Sequence, residues 1–343
     1  MANDSGGQKR CLVIRHGAFG DSIMASAALP YIEDDGYEID YYTEERGREI
    51  MKNNPRVKNF VMHDTDIPVG DDLIAAWDRA GEGYDKVVNF TGAVENELLF
   101  AIKQDMYYRP LRERRAYVNG RNYYERHIEI AGYKVNGKGM RPEIYFSKSE
   151  KQKGVKFRVK HKKHFVVVWA LSGSSMHKVY RHFIECAREF LNRHEDVFLV
   201  TVGDYTTKLL TFEHPRVRNT MFFEIPFRET MLLTKYADVV VGPETGAMVA
   251  ASAFDTPKIW LCSHASPDQL TTKSGNEHFI QAPCYCSPCH LLHKYTYIWR
   301  EVCQVGTPMR LPDGRLHTMP ACCEHGKGDI LDKLEEVYNE RRN

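Results

Sequence analysis

Three short segments of this chain carry the residue types that handle a hydroxyl and a phosphate. The first is His16-Gly-Ala-Phe-Gly-Asp21, directly after the apolar run Cys11-Leu-Val-Ile14. Gly17 and Gly20 allow tight turns and close backbone approach, and Asp21 falls at a helix start. That carboxylate reads either as a helix cap or as a general base for an acceptor hydroxyl. The second is Val241-Gly-Pro-Glu-Thr-Gly-Ala-Met248, between a strand and a helix. Amides at Thr245, Gly246 and Ala247 would be unpaired at that helix start and would favour an anion such as a diphosphate, with Glu244 and Met248 in the same turn. In the third, Ser174 and Ser175 beside Gly173 could line phosphate oxygens, and Lys178 would supply a compact positive charge. Taken singly, each is also an ordinary turn. Two anion-suited loops, one per half and facing a shared cleft, say more than either alone.

A cysteine cluster and a basic stretch remain outside these loops. Cys284, Cys286, Cys289 and Cys303 give C-x-C-x2-C followed by a fourth cysteine, with Cys322 and Cys323 further on. Four thiolates would satisfy a tetrahedral structural zinc. Redox-active, disulfide-bonded or simply packed cysteines are the competing readings, and the chain's nine cysteines are an odd number. Arg109, Arg112, Arg114, Arg115 and Arg121 interleave with Tyr107, Tyr108, Tyr117, Tyr123 and Tyr124. This is a solvated surface or a grip for an anionic acceptor, either a phosphorylated glycan or DNA.

Positioning these loops requires strands that alternate with helices. Strands read at 11–15, 38–43, 57–62 and 84–90, with helices after Asp21 up to Pro30, over 46–53 and over 123–131. A basic segment, 147–163, holds eight lysines or arginines and no long apolar run, and it reads as a linker with a solvated surface. The pattern restarts with His164-Phe-Val-Val-Val-Trp-Ala-Leu171. Strands follow at 197–202, 237–242 and 257–262, and helices over 181–192, near 206–212, over 227–236 and over 246–254. Alternation of this kind means βαβ units and parallel sheets, twice over. A final helix, 329–341, has an apolar face made by Ile330, Leu331, Leu334, Val337 and Tyr338. With 343 residues, a formal charge of +1, no signal-peptide pattern and no spanning apolar stretch, the expectation is a cytoplasmic two-domain protein, with peripheral membrane association still open.

In this order the segments resemble glycosyltransferase family 9, the ADP-heptose:lipopolysaccharide heptosyltransferases. Leu12-Val-Ile-Arg-His-Gly-Ala-Phe-Gly-Asp21 with Ala27-Ala-Leu-Pro30 is similar to that family's first strand, glycine loop and helix. Residues 172–180 resemble its small-residue loop followed by Lys-x-Trp, with Tyr180 in the tryptophan's place. Ala237-Asp-Val-Val-Val-Gly-Pro-Glu-Thr-Gly-Ala-Met248 and Ala253-Phe-Asp-Thr-Pro257 resemble its donor loop. Cys286-Ser-Pro-Cys289 is similar to a cysteine motif of many members.

The resemblance implies an α/β GT-B fold: two Rossmann-like domains with parallel sheets facing an interdomain cleft. The acceptor-side domain would be 1–150. The nucleotide-sugar donor domain would be 164–327 with a Cys-rich insert at 284–323, and a terminal helix at 328–343 would cross back to the first domain. It also implies an inverting glycosyltransferase that needs no metal for catalysis. The reaction would move a sugar from an ADP-heptose-like donor to a hydroxyl on an anionic glycan such as lipopolysaccharide core. Asp21 would be the base, and Lys178, Ser174, Ser175 and the amides at Thr245 to Ala247 would stabilise the leaving diphosphate. On that reading Asp21→Ala should abolish transfer while sparing the fold and donor binding. The family's loop reads Asp-Thr-Gly with a histidine three residues after the glycine, where this chain has Glu244 and Val249. Two alternatives stay open: transfer to hydroxymethylated bases of DNA, and a catalytically silent nucleotide-sugar binding protein. A dinucleotide oxidoreductase is disfavoured by the incomplete G-x-G-x-x-G pattern.

Overall fold

Strands buried on both faces lose the polar–apolar alternation and read as continuous runs of Val, Ile and Leu. The computed structural model bears this out. It describes residues 7–64, 66, 71–94, 110, 113, 121–173, 176–204, 210–220, 224–288, 306–310 and 316–342. The chain divides into two compact units, one holding Met1–Arg109 and Arg121–Phe146, the other Pro110–Gly120 and Ser147–Asn343. Among the described residues no helix is long and apolar enough to cross a membrane.

In the first unit, β1 (Lys9–Ile14) lies between β2 (Tyr37–Thr43) and β4 (Lys86–Asn89), with β3 (Val57–Met62) outside β2. All pairings are parallel, with Ile14 opposite Tyr42 on one side and Asn89 on the other. Parallel neighbours need crossovers, which the helices supply. Helix α1 (Phe19–Ala25) passes through a 3₁₀ turn (Ser26–Ala28) into α2 (Leu29–Asp34). Pro30, expected to stop a helix, instead sits in the first turn of α2, where its missing N–H is not needed. Then come α3 (Glu45–Met51), α4 (Asp71–Gly81) and α5 (Tyr123–Ile130). Trp77 of α4 packs with Leu12, Ile14 and Tyr42 on one side of the sheet.

The second unit holds a six-stranded parallel sheet in the order β10-β9-β8-β5-β6-β7. Its strands are β5 (Phe165–Ala170), β6 (Val197–Val202), β7 (Val217–Asn219), β8 (Val239–Gly242), β9 (Lys258–Cys262) and β10 (Glu277–Gln281). A hairpin of β11 (Gly306–Arg310) and β12 (Leu316–Pro320) stands apart. The segment expected to be a linker is largely helix α6 (Lys148–Lys160). Its first turn is closed reciprocally: Ser147 Oγ accepts from the Glu150 N–H at 3.2 Å and Glu150 accepts from the Ser147 N–H at 2.7 Å. Helices α7 (Phe183–Arg193), α8 (Phe227–Tyr236), α9 (Gly246–Ala251), α10 (Pro267–Leu270) and α11 (Lys327–Arg342) complete the unit. Ile330, Leu331, Leu334 and Val337 of α11 are buried in the same core as Phe165, Phe190 and Val239. The apolar face of the terminal helix thus packs into the core of the second unit.

Candidate functional site

The carboxyl ends of parallel strands are where ligands bind in such sheets. In the first unit that place is taken by the loop after β1. Arg15 is 2% exposed, and its guanidinium donates to the Phe90 carbonyl at 2.8 Å and lies 3.2 Å from Asp21 Oδ2. The same oxygen accepts the Ala18 N–H at 3.0 Å, closing the start of α1. Asp21 is therefore both cap and ion-pair partner, and both duties fall on Oδ2. No described residue donates to Oδ1, so the carboxylate is held by one oxygen and open at the other.

Gly17 makes this geometry affordable. Its φ is +112°, and a Cβ there would lie 2.7 Å from Asp21 Oδ2. Gly17→Ala should therefore push the carboxylate aside and lower any activity that depends on Asp21 by about 100-fold, since small misplacements are costly. A steady-state rate alongside a melting curve checks this; unchanged turnover in a folded variant would count against a role for Oδ1. Gly20 lies inside α1 and serves its first turn.

The sequence gives no sign of what His16 does in this loop. Its Nε2 accepts from Trp77 Nε1 at 3.0 Å, its ring lies 4.2 Å from that of His63, and His63 Nδ1 pairs with the Tyr42 hydroxyl at 3.0 Å. Burial, then the neighbouring His63 and Arg15, pushes the His16 pKa down to about 3, so the ring is neutral at ordinary pH. No periodicity announces this group, because its members come from the ends of β1, β2 and β3 and from α4. Glu44, after β2, approaches the Gly17 N–H at 3.4 Å and is a second carboxylate beside the loop.

In the second unit, β8 ends at Gly242, where a Cβ would meet the Ala170 carbonyl oxygen at 2.8 Å. This close approach sets the loops after β5 and β8 side by side. Gly173 continues the contact: a Cβ there would lie 2.8 Å from Lys178 Cδ and 3.0 Å from Thr245 Cγ2. Gly173 and its near neighbour Lys178 thus converge with Thr245, which lies far along the chain. Ser174 and Ser175 lie outside the described residues, as do Arg109, Arg112, Arg114 and Arg115.

Thr245 caps α9: its Oγ1 accepts from the Met248 N–H at 3.5 Å, and its carbonyl accepts from Val249 at 3.0 Å. That leaves the amides of Gly246 and Ala247 without a helical acceptor. Thr245, Ala247 and Met248 are buried and Gly246 is partly exposed, so the open part of the turn is at Gly246. A six-residue helix has a small macrodipole, so an anion here would depend on individual amides and on Lys178 rather than on the helix as a whole.

Glu244, expected on the donor, has both oxygens on protein. Oε1 accepts the Ser263 N–H at 2.6 Å and the Ala265 N–H at 3.0 Å, and Oε2 accepts the Ser263 hydroxyl at 2.7 Å. It ties the loop after β8 to the loop after β9. Ser263 is itself held from outside, its carbonyl accepting the Ser287 hydroxyl. Ser287 belongs to the cysteine segment, where Cys284 and Cys286 place their sulfurs 3.4 Å apart. Cys322 and Cys323 are buried with Ala282 and Met319, and Cys284 packs against them. Cys289 and Cys303 lie outside the described residues. Among the described residues no three His, Cys, Asp or Glu side chains converge to hold a metal. The seven described cysteines form no disulfide.

No sequence family model matches this chain, and no curated protein matches it. Solved structures do. A glycosyl transferase family 9 protein from Veillonella parvula DSM 2008 superposes with a TM-score of 0.65 at 13% identity, covering 97% of this chain and 98% of that one. The E. coli ADP-heptose lipopolysaccharide heptosyltransferase II gives 0.63 at 16% identity, over 97% and 100%. The dodecameric iron-containing heptosyltransferase TibC, solved with ADP-D-beta-D-heptose, gives 0.56 at 9% identity, over 97% and 76%. The fold is thus that of the α/β, parallel-sheet glycosyltransferases. More narrowly, it is like that of the family 9 heptosyltransferases.

Proposed function

We propose that this protein is a glycosyltransferase that moves a sugar from a nucleotide-sugar donor to an acceptor hydroxyl by a single, inverting displacement without a catalytic metal. The observation that carries the reading is Asp21: a carboxylate at a strand's carboxyl end, fixed through Oδ2 by Arg15 and Ala18, with no donor to Oδ1 among the described residues. In the reaction, Oδ1 takes the acceptor's proton as its oxygen bonds to the anomeric carbon. The bond from that carbon to the diphosphate breaks, and the leaving group carries away the electron pair. Lys178, which packs with Thr245 around Gly173 at the start of α9, and the Gly246 amide stabilise the charge that develops on the diphosphate. This requires the two units to face one another across a cleft, as in the GT-B arrangement.

The heptosyltransferase-like fold favours an ADP-heptose-like donor and an anionic glycan acceptor such as lipopolysaccharide core. We further propose that the cysteine segment holds a structural metal. With metal–sulfur bonds near 2.3 Å, two thiolates on a tetrahedral ion stand about 3.8 Å apart, close to the separation of Cys284 and Cys286. The similar TibC is described as iron-containing, so metal analysis should read iron and zinc alike; a substoichiometric trace of both would end the idea.

The test of the transfer reading is a thermal-shift screen of nucleotide sugars, followed by mass spectrometry of candidate acceptors with the stabilising donor. A ligand that binds only the folded state raises the midpoint with concentration. A silent binding protein would show the shift without transfer to any acceptor.

A further inference from the structure

We propose that the outward face of α6 docks on the anionic headgroup layer of a lipid bilayer. The helix is fastened to the second unit along one side only. Gly154 lies against Tyr236 so closely that a Cβ would fall 2.1 Å from the ring. Arg228 donates to Glu150 at 3.0 Å, and Arg158 donates to Asp238 at 2.9 Å. These contacts use the segment's one carboxylate and its one arginine.

Everything else charged points outward. Lys148, Lys151, Lys153, Lys156, Lys160, Lys162 and Lys163 are all exposed, and none forms an ion pair among the described residues. Elsewhere lysines do find partners, as Lys58 does with Glu38 and Lys327 with Glu189. Residues 147–163 hold eight basic side chains and one acidic, yet the whole chain nets +1, so the remainder is net acidic. A negative surface would therefore attract this molecule through its basic stretches, and among the described residues α6 presents the densest of them.

Charge alone would suit any polyanion. The second observation selects a bilayer. Val155 and Val159, one helical turn apart, are 51% and 61% exposed, two of the most exposed large apolar side chains in the described residues. Helical spacing places them on one stripe with Lys148, flanked by Lys151, Lys156 and Lys160. Apolar side chains ringed by lysines suit the boundary between headgroups and acyl chains, where methyl groups leave water and ammonium groups meet phosphates. Nucleic acid would offer the valines nothing and would be better met by arginine and stacked aromatics.

The full-length protein should co-sediment with phosphatidylcholine vesicles containing about one-third phosphatidylglycerol, and not with phosphatidylcholine alone; added salt should weaken the binding. Lys151, Lys153, Lys156 and Lys160 changed together to Gln should lower partitioning by roughly 600-fold, at roughly 5-fold per lysine. Val155→Ser with Val159→Ser should lower it on the order of 10-fold. Both variants keep exposed positions polar, and an unchanged melting curve confirms their folding. The proposal is overturned if the wild type ignores anionic vesicles or if the lysine variant binds as well. It is also overturned if duplex DNA is bound in their place with the valine variant indifferent. Vesicle binding needs no donor or transfer, so its failure leaves the catalytic reading standing, and failure of transfer leaves this one.

Discussion

Asp21→Asn should reduce sugar transfer roughly 100- to 10,000-fold, the usual contribution of a positioned general base, while donor binding and folding persist. The choice of asparagine follows from how the carboxylate is held. An amide oxygen can still accept from the Ala18 N–H and the Arg15 guanidinium, so the loop keeps its shape while the proton acceptor is lost. Asp21→Ala is the wrong experiment, although the sequence made it look clean. It would strip the ion-pair partner from an arginine that is 2% exposed, and breaking a buried pair from one side costs about 3–5 kcal/mol. A rate measured on Asp21→Ala would mix lost chemistry with lost fold. Initial rates of Asp21→Asn at saturating donor, beside its melting midpoint, decide the matter. Turnover within a few-fold of wild type would remove Asp21 from the mechanism.

The largest stability effect is expected at Glu244. Glu244→Ala leaves two backbone N–H groups and one hydroxyl without their acceptor in a buried turn. Each unsatisfied buried donor costs about 1–3 kcal/mol, and relaxation shares some of that, so the expected loss is about 3–5 kcal/mol. Chemical denaturation measures it. Glu244→Gln keeps one acceptor but turns an amide toward a donor, and it should fall between wild type and Ala. The alternative, that Glu244 grips the donor directly, has the opposite signature: weaker donor binding with stability kept. A denaturation midpoint that stays put while donor affinity collapses would restore the sequence-based role.

The central strands are legible because parallel strands covered on both faces must be apolar at every position. Val-Val-Val runs at 166–168 and 239–241 can hardly be anything else. Elements lacking that constraint leave no such signal. Helix α4 and the edge strands β7 and β10 are only partly buried, so few of their positions are dictated. The basic segment reads as a linker because α6 buries little more than Gly154, although Ser147 and Glu150 stand at capping-box spacing.

What the chain determined on its own was local: glycines where turns are tight, a carboxylate after the first strand, a lysine after the fifth, and the βα order that sends loops to one end of each sheet. What only the tertiary structure decided was which oxygen of each carboxylate is spent. Among the described residues Asp21 has one oxygen without a donor because Arg15, on the buried end of β1, takes the other. Glu244 has none, because the loop after β9 supplies donors that sequence distance hides. Hydrogen-bond partners are set by where strand ends meet in space, and residue spacing along a chain does not carry that.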